Sequence, residues 1–286
     1  MTDGKAFKYL VFGKNFVTIC AICGFLPSKN LAQNPVADSL ERILLKKSPD
    51  TNRVNLLTDL AWETKEDDPE KAKKNLREAI DLAQKLHFEK GESTAWNHLA
   101  VIEEQAENFA VADSFYHKAL KIRELSGDRA AQSRSLNNLG NLAETRGDYV
   151  GALDFFQKSL YLAEQLKDSA RIARTRFNMA TVHEAMGNYP EANAAVYEYL
   201  PLVEKLGDLG GQARAYSMLG NIQFELEDFK QAENFHRKAL KIRELAGDAA
   251  KLADSWNDLG NVLDEQKKFA EADDFYQKAL DFREKD

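Results

Sequence analysis

The chain has 286 residues, with 39 Lys and Arg against 46 Asp and Glu, and a formal net charge of −7. This length fits one or two globular domains or one elongated array, and a chain that is 44% hydrophobic is too apolar for a disordered protein. The acidic balance excludes a general nucleic-acid binder, because such a protein needs a basic surface.

Residues 1–32 differ in composition from the rest of the chain and are predicted to be a signal peptide-like leader. Lys5, Lys8 and Lys14 precede an apolar run over residues 16–26, and Ala32 offers a small residue at a cleavage point. The run is shorter than the ~20 residues of a membrane-spanning helix. We therefore expect export to the periplasm or secretion, with no stable membrane span in the mature chain. A disordered leader, an uncleaved anchor and a cytoplasmic location are the alternatives.

Both cysteines, Cys20 and Cys23, lie inside this apolar run with C-x-x-C spacing. They do not open a helix after a strand, as redox cysteines do, so we interpret them as part of the leader. Since no Cys follows residue 23, the remaining sequence holds no disulfide, no Cys-ligated zinc and no Cys nucleophile.

Residues 33–49 are predicted to be a linker that contains one short helix. The segment 37–46 is amphipathic, with Leu40, Ile43 and Leu44 at helical spacing. This helix is placed to cap the first unit of the array that follows.

An internal repeat with a period of 40 residues runs through residues 50–286. A Leu or Met followed by Gly or Ala recurs without drift, at Leu99-Ala100, Leu139-Gly140, Met179-Ala180, Leu219-Gly220 and Leu259-Gly260. The octapeptide K-A-L-K-I-R-E-L occurs at 118–125 and again at 238–245. Such periods are typical of solenoids, in which each unit packs on its neighbours. The units are predicted near 50–88, 89–128, 129–168, 169–208, 209–248 and 249–286, and the first is one residue out of step, which predicts a shorter inner turn.

Each unit is predicted to be a pair of helices joined by tight turns. In the third unit Leu136, Leu139 and Leu142 follow helical spacing. Gly-Asp pairs at 127–128 and 147–148 suit a helix end followed by an N-cap, since Gly takes left-handed backbone and Asp caps amides. The recurring small residues allow close helix packing, and a large Tyr or Phe fills the space beside them. The fold class is therefore all-α.

These residues resemble the tetratricopeptide repeat (TPR) family, whose pattern includes W-x-x-L-G, G-D/N-Y and A-x-x-x-F/Y-x-x-A. Trp96 and Trp256 match the first aromatic position, residues 147–149 match G-D/N-Y, and Ala112 with Tyr116 matches the second helix. The resemblance covers about residues 50–286 and implies a superhelix of about six helix-turn-helix units, with helices longer than in the usual 34-residue repeat. The 40-residue variant is similar to polarity-type TPR adaptors and to TPR sensory regions of bacterial, Bacteroidota-like signalling proteins.

The resemblance also implies a concave groove lined by the first helix of each unit. The family's groove positions hold a row of arginines and a ladder of asparagines: Arg134, Asn137, Asn138, Asn141, Arg174, Asn178, Arg214, Asn221, Asn257 and Asn261. An acidic row that includes Glu144 and Glu184 runs beside them. Asn can donate to and accept from a peptide backbone, and Arg binds carboxylates, so the groove is predicted to prefer acidic residues or a free C-terminus. Alternatively, Arg pairs with Glu of neighbouring helices and Asn serves contacts between repeats.

Motifs for catalysis and metal binding are missing from the sequence. His183-Glu184 begins like H-E-x-x-H, but Gly187 stands where the second His is needed. There is no G-x-S-x-G and no phosphate-binding glycine loop. His236 occupies an aromatic slot held elsewhere by Tyr116 and is predicted to be a core residue. We expect no enzyme activity, no cofactor and no metal.

The predicted function is a non-catalytic protein–protein interaction scaffold that binds a peptide or protein segment in its groove, not nucleic acid. The alternative is the sensory input region of a bacterial signalling protein, truncated before a kinase, cyclase or transcription-regulator output domain. No polar capping helix follows the last unit, so Phe275, Leu280 and Phe282 are predicted to be partly exposed. End-to-end self-association, a fragment of a longer protein and tolerated exposure are the explanations left open.

Overall fold

The computed structural model describes residues 34–44 and 49–284, and within them the chain forms thirteen helices and no strand. The leader, Cys20 and Cys23, part of the linker and Asp286 lie outside these residues. The helices are α1 Pro35–Leu44, α2 Thr51–Thr64, α3 Pro69–Lys85, α4 Glu89–Gln105, α5 Phe109–Leu125, α6 Arg129–Thr145, α7 Tyr149–Gln165, α8 Ser169–Ala185, α9 Tyr189–Leu206, α10 Leu209–Glu225, α11 Phe229–Ala246, α12 Ala249–Glu265 and α13 Phe269–Arg283.

Six antiparallel helix pairs, α2–α3 to α12–α13, stack in chain order, and α1 packs on α2. The second helix of each pair contacts the first helix of the next, and first helices also touch each other, as α2 does α4. This arrangement confirms the predicted helical solenoid. Most of these helices have 17 residues, which accounts for the long period.

The turns follow the capping chemistry expected from the sequence. Asp148 begins α7 and accepts a hydrogen bond from the Gly151 backbone N–H, whereas Asn188 at the equivalent place makes no side-chain cap. Gly127 and Gly147 adopt positive φ angles of 71° and 77°. Such angles cost little for glycine because it has no Cβ.

The first unit corrects the predicted shorter inner turn. The turn between α2 and α3 spans residues 65–68, whereas the turn between α4 and α5 spans only 106–108. The unit is one residue short because its first helix is two residues shorter while its turn is one residue longer. α2 ends four residues after Leu60, whereas α4 ends six residues after the equivalent Leu99. No residue in 65–68 takes a positive φ, so the chain needs one more residue to reverse direction.

Small residues on first helices face large residues on second helices. A Cβ added at Gly140 would lie 2.4 Å from the Phe156 ring, and one at Gly220 would lie 2.6 Å from His236. Real Cβ atoms do not approach so closely, so these positions require glycine in the observed packing. His236 is only 3% exposed, which confirms it as a core residue.

Buried charged side chains connect neighbouring units. Arg123 is only 4% exposed. Its guanidinium donates to the Ser135 hydroxyl at 2.6 Å and to the Ala131 carbonyl at 3.3 Å. Arg243, in the second copy of the octapeptide, donates to Ser255 in the same way. Buried charges are costly unless they are hydrogen-bonded, so these contacts fix how one unit sits on the next.

The two ends of the described array differ. Asn34 accepts a hydrogen bond from the Ala37 N–H at 3.2 Å and donates to the Glu63 carbonyl at 3.2 Å, which ties α1 to α2. On α13, Leu280 is 51% exposed, while Phe275 and Phe282 are half-buried. Partial exposure was expected for all three of these side chains.

Candidate functional site

The three predicted groove arginines lie near the start of successive first helices, Arg134 on α6, Arg174 on α8 and Arg214 on α10, and all three are exposed. Within the described residues, neither Arg134 nor Arg174 has a carboxylate within 4.0 Å. Arg214 differs, because its guanidinium lies 3.7 Å from Asp208 and 5.7 Å from the Phe177 ring. The row therefore contains two unpaired cations and one that is partly neutralised.

Arg134 and Arg174 line a common cavity of about 200 Å³ with Arg123, and we call it the basic pocket; Thr94, Asn97, His98, Asn137 and Asn138 complete its lining. Burial and the nearby Arg171 and Arg174 guanidinium groups lower the pKa of Arg134. Burial lowers the pKa of Arg123 to about 10, and the nearby Arg134 guanidinium adds to this effect. Both arginines remain charged at neutral pH, so the pocket concentrates positive charge. The Asp128 carboxylate offsets this charge only in part, because it opposes the lowering of both pKa values without reversing it.

The predicted asparagines on α6 and α8 bond chiefly to one another. Asn178 donates from its Nδ2 to Asn137 Oδ1 at 3.1 Å and to Asn141 Oδ1 at 2.9 Å. Asn137 is 7% exposed and donates to the Thr175 hydroxyl at 3.3 Å. Asn138 donates to Asn97 Oδ1 at 3.0 Å. The ladder thus links neighbouring units, and part of its hydrogen-bonding capacity is already used.

Three predicted asparagines lie further along the array. Asn261 accepts from the Tyr276 hydroxyl at 3.0 Å, and Asn257 accepts from Arg283 at 2.9 Å once its amide is oriented to satisfy both groups. Asn221 lies close to the Glu184 carboxylate and favours its charged form. Apart from Arg214, which lies beside Asp208 and Phe177, the predicted residues therefore fall into two regions, one around the basic pocket and one towards α12.

The second region contains a cavity of about 400 Å³ that we call the acidic pocket. Three carboxylates line it: Glu184 near the end of α8, Glu225 at the end of α10, and Asp258 on α12. The remaining lining residues are Tyr189, Asn221, Phe224, His236, Asn261 and Val262. The Tyr189 hydroxyl donates to Glu225 at 3.4 Å.

Burial controls the charge state of this pocket. Burial raises the pKa of Asp258 to about 6, with the Arg243 guanidinium opposing the change and Asp254 adding to it. Burial also raises the pKa of Glu184. For His236, burial and the nearby Arg243 lower the pKa to about 4, so the imidazole is neutral at pH 7.

Sequence reasoning placed Glu184 in an acidic row and His236 in the core, but it did not join them with Glu225 and Asp258 as one site. The available signal was Asp258, which stands where the two middle units have Asn138 and Asn178. Among the described residues, no His, Asp and Glu side chains are grouped as metal ligands, and no helix is long and apolar enough to cross a membrane.

Stacked helix pairs whose first helices carry neighbouring polar side chains define a helical-repeat scaffold. The family model "Tetratricopeptide repeat" matches residues 91–165, 131–205, 168–245 and 211–285, so the chain belongs to the tetratricopeptide repeat family. Proteins of this family are generally non-catalytic scaffolds for protein–protein contacts. No curated protein matches the chain in sequence.

Solved structures share the fold at low sequence identity. BtubC from P. vanneervenii is 20% identical with a TM-score of 0.62, covering 86% of this chain and 91% of that one. A signal-transduction ATPase with a tetratricopeptide repeat sensor, from Pyrococcus horikoshii, is 15% identical with a TM-score of 0.74, covering 85% of this chain and 38% of that one. A Rap protein complexed with Competence and Sporulation Factor is 17% identical with a TM-score of 0.65, covering 86% and 72%.

Proposed function

We propose that the concave groove binds an extended peptide or protein segment and that the basic pocket receives a carboxylate of that segment. The observation that supports this function is the pair Arg134 and Arg174, which share one cavity and have no carboxylate of the described residues within 4.0 Å. The carboxylate is an acidic side chain or a free C-terminus, because either presents two oxygens to a planar guanidinium.

The pocket suits a carboxylate for energetic reasons. Burial lowers the pKa of Arg134, and repulsion from Arg171 and Arg174 lowers it further, against the opposing effect of Asp128. A bound carboxylate removes the repulsion, and a hydrogen bond to a charged group contributes about 1.5–3 kcal/mol. Asn138 lies at the same pocket with its Oδ1 unused, and this oxygen can accept a backbone N–H of the ligand.

A selection experiment tests this function with the full chain. Random peptides displayed with a free C-terminus would be selected on the wild type and on the double variant Arg134→Gln/Arg174→Gln. The matched control is Arg146→Gln, an exposed arginine in the turn after α6 that lines neither pocket. We expect peptides enriched in acidic residues or dependent on the C-terminal carboxylate, with binding lost in the double variant and retained in the control. Peptides that bind all three proteins equally would refute the proposal.

Export, end-to-end self-association and a sensory role stay predictions. Mass spectrometry of the chain recovered from its native cell tests cleavage after residue 32.

The sensory interpretation predicts that a selected peptide slows hydrogen exchange in α12 and α13 as well as around the basic pocket. Exchange that changes only at the basic pocket would favour the scaffold function.

A further inference from the structure

The acidic pocket plays no part in the function proposed above, and its charge has the opposite sign to that of the basic pocket. Glu184, Glu225 and Asp258 come from three successive first helices and line one cavity of about 400 Å³. Within residues 34–44 and 49–284, none of the three has a Lys or Arg within 4.0 Å. We propose that this pocket binds the ammonium or guanidinium group of a Lys or Arg side chain in the bound segment.

His236 provides an independent observation. Its side chain is 3% exposed and lines the pocket, yet its Nδ1 has no hydrogen-bond partner and lies 3.8 Å from Asp258 Oδ2. A buried polar atom without a partner is rare, because it has lost its hydrogen bonds to water and gained none in return. The imidazole is neutral at pH 7, so its Nδ1 can accept a hydrogen bond in one tautomer. A cationic donor between His236 and Asp258 would satisfy both groups at once.

The remaining walls select an organic cation. Tyr189 and Phe224 line the cavity, and aromatic faces attract ammonium and guanidinium groups. The charged groups that act on the pKa of Asp258 are Arg243, which lowers it, and Asp254, which raises it. Arg243 is buried and already donates to Ser255, so it does not occupy the cavity. The carboxylates and His236 are not arranged as metal ligands in the described structure, which argues against a bound divalent cation.

The two pockets share α8, which carries Arg174 at one and Glu184 at the other. Ten residues of α-helix separate them, or about 15 Å along the axis. An extended chain covers this distance with about four or five residues. This extension of the inference rests on the proposed function: the ligand would place a carboxylate and a Lys or Arg about four or five residues apart.

The test has one arm that does not depend on the proposed function. N-acetyl-lysine methylamide is titrated into the full chain while the imidazole NMR signals are followed, with His236 assigned through its loss in His236→Tyr, which copies the residue at position 116. We expect a saturable shift of the His236 signal. The norleucine analogue, which lacks the charge, should cause no shift. The shift should be lost in Asp258→Asn and retained in Asp264→Asn, an exposed acidic residue outside the pocket. Equal shifts with both compounds, or none with either, would overturn the inference.

The second arm uses a peptide selected on the wild type, prepared with Lys, Ala or norleucine at the fourth and fifth positions from its carboxylate. Asp258→Asn should weaken the Lys peptide about tenfold and leave the norleucine peptide unchanged. Arg134→Gln/Arg174→Gln should weaken both. If Arg134→Gln/Arg174→Gln weakens binding of both peptides and Asp258→Asn weakens neither, the proposed function stands and this inference fails. If the lysine compound binds but the arginine variant has no effect, the proposed function fails and the acidic pocket stands.

Discussion

His236 Nδ1 and Asp258 Oδ2 face each other at 3.8 Å without a hydrogen bond. One group is an imidazole that burial keeps neutral, and the other is a carboxyl that burial keeps protonated up to about pH 6. At neutral pH the carboxylate is charged, only one third exposed and without a cation at contact distance. The free protein therefore carries a destabilising charge in the acidic pocket.

Replacing this charge should stabilise the protein. Asp258 has a pKa near 6 in the folded chain against an ordinary value of 3.8, so the folded state binds its proton more tightly than the unfolded state does. Stability from this group is therefore present below pH 4 and is lost as the pH rises to 6. Because Asp258 is partly exposed to solvent, its effect is smaller than the full pKa difference implies. Asp258→Asn should raise the free energy of unfolding, relative to the wild type, by about 1–2 kcal/mol more at pH 7 than at pH 4. Urea unfolding of both proteins at the two pH values measures the difference, and an equal pH dependence in both would contradict it.

The contact of Gly140 with the Phe156 ring predicts a steric cost. A Cβ at residue 140 would lie 2.4 Å from the ring of a fully buried side chain, so Gly140→Ala should destabilise the chain by about 1–3 kcal/mol. Gly210→Ala is the matched control, because its Cβ would meet nothing nearer than 3.5 Å. The control should be neutral or slightly stabilising, since Ala favours helices. Thermal unfolding followed by circular dichroism compares them, and equal effects would refute the packing argument.

At turn positions where a non-glycine residue has a positive φ angle, a substitution to glycine should stabilise the protein. Glu227 has a φ of 59° at the turn position where other units have Gly147 and Gly187. Left-handed backbone costs a residue with a Cβ about 1–2 kcal/mol, so Glu227→Gly should stabilise the protein by about 1 kcal/mol. Gly147→Ala should lose a similar amount. Denaturant midpoints measure both, and a destabilised Glu227→Gly would show that the Glu side chain contributes more than its backbone costs.

Two ion pairs of similar geometry should differ in importance because they differ in burial. Lys73 and Glu103 lie 3.0 Å apart between the first and second units, with side chains only 11% and 9% exposed. Glu103→Ala leaves the buried Lys73 ammonium with only the exposed Glu70 carboxylate, at 3.3 Å, and should cost about 2 kcal/mol. Lys158 and Asp154 are closer, at 2.6 Å, but more than half exposed. Asp154→Ala should cost less than about 0.5 kcal/mol. Equal losses of unfolding free energy in urea would contradict this ranking.

The sequence predicts the fold well because repetition averages out local ambiguity. Each helix, turn and Gly or Ala contact is present several times, so residues such as Gly140 and Gly220 support one another. The first inner turn was predicted wrongly because the spacing of Leu60 and Ala72 does not show whether a residue is lost from helix or turn. The acidic pocket could not be predicted, since Glu184 and Asp258 are 74 positions apart and meet only through the stacking of units. The same stacking hides Asn137, which sequence position alone places in the open groove.

The buried contacts of Arg123 and Arg243, each between two neighbouring units, affect how the length of such an array can change. Because residues 118–125 and 238–245 are identical and Arg123 and Arg243 bond to equivalent serines, recombination between the two copies removes three whole units. Deleting residues 124–243 would connect Arg123 to Glu244 and present it to Ser255, so the new joint would keep the arginine–serine hydrogen bond. It would also place Asp258 where Asn138 now bonds to Asn97. A shortened gene of this kind would encode three helix pairs joined through the same arginine–serine hydrogen bond. Cooperative unfolding of that deletion protein would show that three units can be removed at this repeat and leave an array that still folds.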